Sequence, residues 1–322
     1  MQLSRSLPTP NIDFAIIMNR PFICSLCFIL TVVFCIKTSG PVWAQTPPVH
    51  LQQHEISPLR KGEFLLFSKK TEEALKLFKE LWRDEPGNGY AVRGIVRSYQ
   101  ALDQLSQADS FLSEHLEQYP RSSSAAYGLG YTYYLQGRFE EAKKVLMESV
   151  NLDSGNALAL NNLGAVLAEL DQNESAVLKV REAIDRAPEE LMFYRNLEMI
   201  YVRSGQPLRF RDDYQQLLSE KALLKAKGYG LILAQQLRQK SFKLYAEGKM
   251  KECIESIAAM LEFYREIDHQ PGVVAGFFSL AVLYEEQGEI EQAVTYYREV
   301  LKINPQHIQA QERMRSLESK KE

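Results

Sequence analysis

Cysteine is almost missing from the body of this 322-residue chain: Cys24, Cys27 and Cys35 crowd into the first 35 residues, and Cys253 stands alone beyond them. A lone thiol closes no internal disulfide, so stability past that first stretch has to come from packing. An excess of one charge is also missing. Lys and Arg number 38 against 41 Asp and Glu, a net charge of -3 that gives no reason to expect nucleic acid as a partner. Glycine (17) and proline (13) are sparse, and a 45% hydrophobic, 25% charged composition is that of a globular chain. Catalytic signatures are absent too: no Gly-x-Ser-x-Gly elbow, no phosphate-cradling glycine loop and no His-Glu-x-x-His. Of five histidines, only His50 and His54 have metal-ligand spacing, and that spacing works only on a helix, which Pro47 and Pro48 oppose. The reading is therefore no catalytic residues, no metal, no cofactor and no enzyme.

Long apolar runs are lacking except one. "FICSLCFILTVVFCI", Phe22 to Ile36, has no charge, follows Arg5 and Arg20, and precedes "KTSGPVWAQ". A basic flank, an apolar stretch shorter than the ~20 residues that span a bilayer, and the small pair Val42 and Ala44 are the order of a secretory leader. We expect residues 1–44 to be cleaved after Ala44, with an uncleaved anchor as the alternative and Met18 as a second start. Residues 45–54 then form a linker, the mature chain keeps no membrane span, and its location is periplasmic or secreted. Cys24 and Cys27 match a dithiol motif by coincidence, since the leader offers no folded polar pocket.

What is present is a period. Ala74, Ala108, Ala142 and Ala176 are 34 residues apart; Pro86, Pro120 and Pro188 keep the same step, as do Tyr99, Tyr133 and Tyr201, and Gly130 with Gly164. Within one period the apolar spacing is helical twice. Leu160, Leu163, Leu167 and Leu170 mark a first helix, Ala176, Val180, Ala183 and Ala187 a second, with "DQNE" as the turn and Pro188 as the stop. Each unit is a helical hairpin that cannot bury its own apolar face, so units stack into a continuous core.

Leu163-Gly164, Ala176, Ala183 and Pro188 resemble the tetratricopeptide repeat, as do Leu129-Gly130, Tyr133, Gly137, Ala142 and Leu146, and Leu280-Ala281, Tyr284, Gly288, Ala293, Tyr297 and Pro305. The resemblance implies an all-α, right-handed superhelical solenoid of stacked hairpins. We place five units over 55–224 (55–88, 89–122, 123–156, 157–190, 191–224), an irregular connection and two C-terminal units over 225–307 (234–273 and 274–307), and a capping helix at 308–322. In this family Gly130 and Gly164 sit where the two helices press together, opposite Ala142 and Ala176. Glu198 and Phe210 replace that small pair in the 191–224 unit, which should be more open. "KAKGYGLIL", Lys225 to Leu233, with Gly228 and Gly230, reads as the irregular connection.

In the family, first-helix side chains line a concave groove for peptides. The equivalents here are Arg93, Tyr127, Asn161 and Arg195 in one rank and Arg97, Tyr131, Ala165 and Met199 in the next, with Tyr134 one turn beyond. Asn162 and Asn196 match asparagines that some peptide-binding relatives use on a ligand backbone. Arginine and tyrosine together suit an acidic or C-terminal peptide. The expected function is an exported, non-enzymatic scaffold or adaptor holding a protein or peptide in that groove. An outer-membrane assembly factor resembling a pilus pilotin is the alternative, although no cysteine adjoins Ala44 for acylation, and an accessory part of an enzyme complex ranks below it. The apolar stretch Val273 to Tyr284 leaves self-association open as well.

Overall fold

The computed structural model describes residues 57–319, so the leader, its cleavage point, the 45–54 linker, His50 and His54 lie outside the described residues. Among those described there are fifteen helices and no strand. Fourteen pair into seven antiparallel hairpins: α1 (Pro58–Phe67) with α2 (Thr71–Asp84), α3 (Gly89–Ala101) with α4 (Leu105–Gln118), α5 (Ser123–Leu135) with α6 (Phe139–Leu152), α7 (Ala157–Glu169) with α8 (Asn173–Arg186), α9 (Leu191–Arg203) with α10 (Arg209–Ser219), α11 (Leu223–Ala246) with α12 (Met250–Glu266), and α13 (Gln270–Glu286) with α14 (Ile290–Ile303). The last helix, α15 (Ile308–Glu318), buries Ala310 and Leu317 against the final hairpin, and Arg313 reaches Glu285 at 3.1 Å. The stack is an all-α superhelix. No helix among the described residues is long and apolar enough to cross a membrane.

Two lattice positions fix where three of the first helices begin and where the hairpins turn. Asn88, Ser122 and Asn156, 34 apart, cap α3, α5 and α7 by accepting from the N–H groups of Ala91 (3.0 Å), Ala125 (3.3 Å) and Ala159 (3.0 Å). The turn between helices needs one residue with positive φ, and Lys69, Asp103, Gly137, Asp171 and Gly205 supply it at the same 34-residue step. The small columns do what the period implies. A Cβ on Gly164 would overlap Val180 Cγ2 and lie 3.0 Å from the Ala176 carbonyl oxygen, and one on Gly130 would lie 2.5 Å from Leu146 Cγ. Close helix contact there offsets the ~1 kcal/mol helix-propensity cost of glycine.

The expected irregular connection at Lys225–Leu233 is corrected: those residues are helical, inside the 24-residue α11. The two glycines are not breaks. Gly228 lies directly under the Tyr194 ring, and a Cβ on Gly230 would meet Ile267 Cγ2 at 2.6 Å and Tyr214 Cε2 at 3.2 Å, so both admit side chains from neighbouring helices. The α9–α10 unit differs for a related reason. Phe210 fills the position of the small residue, is buried, and packs its ring 4.6 Å from Tyr229 of α11, so the eleven-residue α10 leans on the following hairpin. Asp213 ties α10 back to the preceding helices as well, accepting from Arg181 of α8 at 2.7 Å and from Tyr201 of α9 at 2.8 Å.

Two histidines carry caps. His269 Nδ1 accepts from the Gly272 N–H (3.0 Å) at the start of α13, and His307 Nδ1 from the Ala310 N–H (3.2 Å) at the start of α15. Burial holds both imidazoles below their usual range, with the Lys227 charge adding to it at His269. As pH falls below the unfolded value of about 6.5 the unfolded chain takes up protons first. The stability these caps supply is therefore complete above that pH and is lost as pH drops through the lower folded values. Melting temperature should fall from about pH 7.5 to about pH 5.5, and the double replacement His269→Asn, His307→Asn, which caps at any pH for about 1 kcal/mol per helix, should flatten that decline. A double variant with the parent's pH profile would contradict the assignment.

Candidate functional site

The first helices α3, α5, α7 and α9 line the inside of the superhelix, and the eight side chains expected there divide into three groups. Tyr131, Tyr134, Asn162, Asn196 and Arg93 meet in one pocket, together with Ala165, Met192, Met199 and the Glu169–Arg203 ion pair (2.7 Å). Arg97 and Arg195 are already engaged: Arg97 donates to both carboxylate oxygens of Glu63 (2.8 and 2.6 Å), and Arg195 to Gln235 Oε1 (2.7 Å). Tyr127 is fully buried, so its expected place on an open wall is corrected: its ring lies parallel to that of Tyr131, centroids 6.3 Å apart, between adjacent helices.

The asparagines explain why a helix accepts them. Asn161, with no exposed surface, accepts from Asn196 Nδ2 (2.9 Å) on α9 and donates to Asn162 Oδ1 (3.2 Å), so it ties neighbouring first helices together. That leaves Asn162 Nδ2 buried in the pocket wall without a partner, and the Tyr127 hydroxyl behind the wall is likewise unpartnered. Arg93 forms no ion pair among the described residues, and its guanidinium rests 3.2 Å from Met192 Sδ. Burial works against the Arg93 charge, but the nearby Tyr131, Tyr127, Glu63 and Glu190 leave it firmly protonated. Burial, then Glu169 and Tyr131, pushes the Tyr134 phenol up to about 12, so it too is a donor at neutral pH. The pocket thus combines unpaired donors with the apolar surface of two methionines. It can hold a hydrogen-bond acceptor, such as a peptide carbonyl or a carboxylate, beside an apolar group.

Its volume of 90 Å³ is small beside the roughly 300–1,000 Å³ of ligand clefts. The reason is curvature. The second unit meets the fifth across the inside of the superhelix, where Tyr90 Oη donates to Glu190 Oε1 at 2.8 Å and Arg93 touches Met192. A larger groove of 1890 Å³ runs along the inter-repeat loops, past Trp82, Phe111, His115 and Tyr119. Its Trp82 indole is satisfied internally, donating to the Pro86 carbonyl (2.9 Å) and Ser124 Oγ (3.1 Å), and side chains of both charges line it.

Two partners escaped the sequence reading. Glu63 occupies the Arg97, Tyr131, Ala165, Met199 lattice one unit earlier, so extending that rank back by 34 residues would have found it. The Tyr90–Glu190 pair has no local signal, because residues 100 apart meet only through the pitch of the whole stack.

Comparison with known proteins finds tetratricopeptide-repeat family models matching residues 65–129, 123–156 and 274–307. A curated relative, the STIP1 homolog of Dictyostelium discoideum, is 35% identical over 77 residues, 24% of this chain; the match spans 14% of that protein's length. Solved structures with similar chains include MamA from Desulfovibrio magneticus RS-1 (21% identity, 51% of this chain and 93% of that one, TM-score 0.36). The Cut9–Hcn1 hetero-tetramer of the APC/C is another (14% identity, 84% and 57%, TM-score 0.43), as is YrrB (18% identity, 74% and 97%, TM-score 0.31).

Proposed function

We propose that this chain, whose tetratricopeptide repeats stack into an all-α superhelix, is an exported, non-enzymatic scaffold that holds a segment of a partner protein on its inner wall. The observation that carries the reading is the convergence of Asn162 Nδ2, unpartnered and buried, with Arg93, which forms no ion pair among the described residues, in one concave pocket. A buried donor left unpaired costs about 1–3 kcal/mol, which an acceptor from a partner would recover. An extended segment bringing a backbone carbonyl or an acidic group, with an apolar side chain against Met192 and Met199, fits that chemistry. Export rests on the leader-like stretch Phe22 to Ile36 and places the partner in the periplasm or outside the cell. The pilotin-like alternative lacks a supporting observation, since no cysteine adjoins Ala44.

Immobilised protein should retain a partner from envelope extracts. Asn162→Asp keeps the acceptor for Asn161 but reverses the pocket's donor, and Arg93→Gln removes the charge; each should weaken retention about tenfold, the effect of losing one charge-assisted or buried bond. Undiminished retention by both variants rejects the pocket. Mass spectrometry of the purified chain tests export separately, with Gln45 expected at the N-terminus.

A further inference from the structure

The contact between the second and fifth units joins first helices three units apart along the stack. First helices pack chiefly on their immediate neighbours, α3 on α5, α5 on α7 and α7 on α9, and Gly89 of α3 also approaches Leu158 of α7 two units on. Tyr90 and Arg93 of α3 nonetheless reach Glu190 and Met192 at the start of α9. Both links are made by side chains at the first turns of their helices. The lattice adds a second observation. Glu190 occupies the slot that Asn88, Ser122 and Asn156 fill as helix caps, yet its side chain caps nothing and accepts the Tyr90 hydroxyl instead. Met192 both receives Arg93 and lines the pocket, so this junction closes the space it borders. Within the pocket the closed arrangement also leaves Asn162 Nδ2 unpartnered, a standing cost that access to an acceptor would relieve.

We propose that Tyr90–Glu190, with Arg93–Met192 beside it, is a latch: it holds the superhelix curled and shuts the inner pocket, and its release gives a partner segment access to Asn162 and Arg93. The purpose of the latch rests on the scaffold reading above, whereas its existence is tested without any partner. A small pocket behind a side-chain junction needs no refolding to open; a slight unwinding across α5 and α7, shared among several helix contacts, separates α3 from α9. A ligand that binds only the unlatched form has its apparent affinity reduced by the fraction unlatched, so weakening the latch raises affinity without touching the pocket.

Thiol access measures this in the full chain. Ala165→Cys places a thiol in the pocket wall, and native Cys253, buried on α12, reports general unfolding. Modification by N-ethylmaleimide, read at each cysteine by mass spectrometry, should be slow at both in the latched protein. Tyr90→Phe and Glu190→Gln should each speed the reaction at position 165 about fivefold or more, the pair together no more than either alone, with Cys253 unchanged. Unaltered rates at position 165, additive effects of the two substitutions, or a parallel rise at Cys253 would each overturn the latch. Faster access with no partner retained would leave the latch standing and remove the scaffold reading; retention that depends on Asn162 and Arg93, with access unaltered, would do the reverse.

Discussion

Replacing Gly164 by leucine should destabilise the array by about 3 kcal/mol or more, a large share of the 5–15 kcal/mol that holds a typical domain. On helix propensity alone the change is favourable, since glycine is about 1 kcal/mol worse than alanine inside a helix and leucine ranks next to alanine. Geometry decides the sign. Even the first carbon of a side chain would overlap Val180 Cγ2 and crowd the Ala176 carbonyl oxygen and the Val180 amide at 3.0 and 3.3 Å. Two of those neighbours are backbone and cannot rotate away, so α7 and α8 must part. Gly164→Ala should therefore also destabilise, by about 1–2 kcal/mol after the propensity gain is subtracted. Urea unfolding followed by far-ultraviolet circular dichroism measures both, and an alanine variant more stable than the parent would refute close helix contact at this position.

Asn161→Leu should cost about 2–4 kcal/mol, although leucine is apolar and the site is fully buried. Asn161 accepts from Asn196 and donates to Asn162, so its loss strands a buried donor on α9 and a buried acceptor on its own helix. Each stranded group carries a desolvation penalty of about 1–3 kcal/mol. The companion test separates that penalty from packing. When Asn196 is also replaced by leucine, one orphan disappears and part of the loss should return, giving a coupling of about 1 kcal/mol or more in a double-mutant cycle. Strictly additive losses would mean the asparagine ladder does not act as a unit.

The repeat was legible because it is periodic: one alanine column located the hairpins, and Gly130 and Gly164 were placed correctly against the second helices they touch. What failed to show was anything set by a residue from another period. Gly228 and Gly230 look like a break when read locally, yet the bulk that demands them comes from Tyr194, Tyr214 and Ile267, distant in sequence. The inner ranks follow from the lattice, whereas their burial does not. A lattice gives the face of a helix; the angle between successive units decides whether that face is open, and that angle is the sum of many side-chain contacts. Hence Tyr127, which the lattice puts on the inner face, is enclosed, and Arg97 beside it already holds Glu63.

The inner wall as the working surface is tested most directly by site-specific photo-crosslinking in intact cells. A photoreactive residue at Tyr134 or Met199, both lining the pocket, is compared with one at Leu178, which is 60% exposed on α8. One discrete partner should be joined at the two inner positions, lost with Asn162→Asp, and none at Leu178. Crosslinks confined to Leu178, or inner crosslinks indifferent to Asn162, would contradict the inner wall as the working surface.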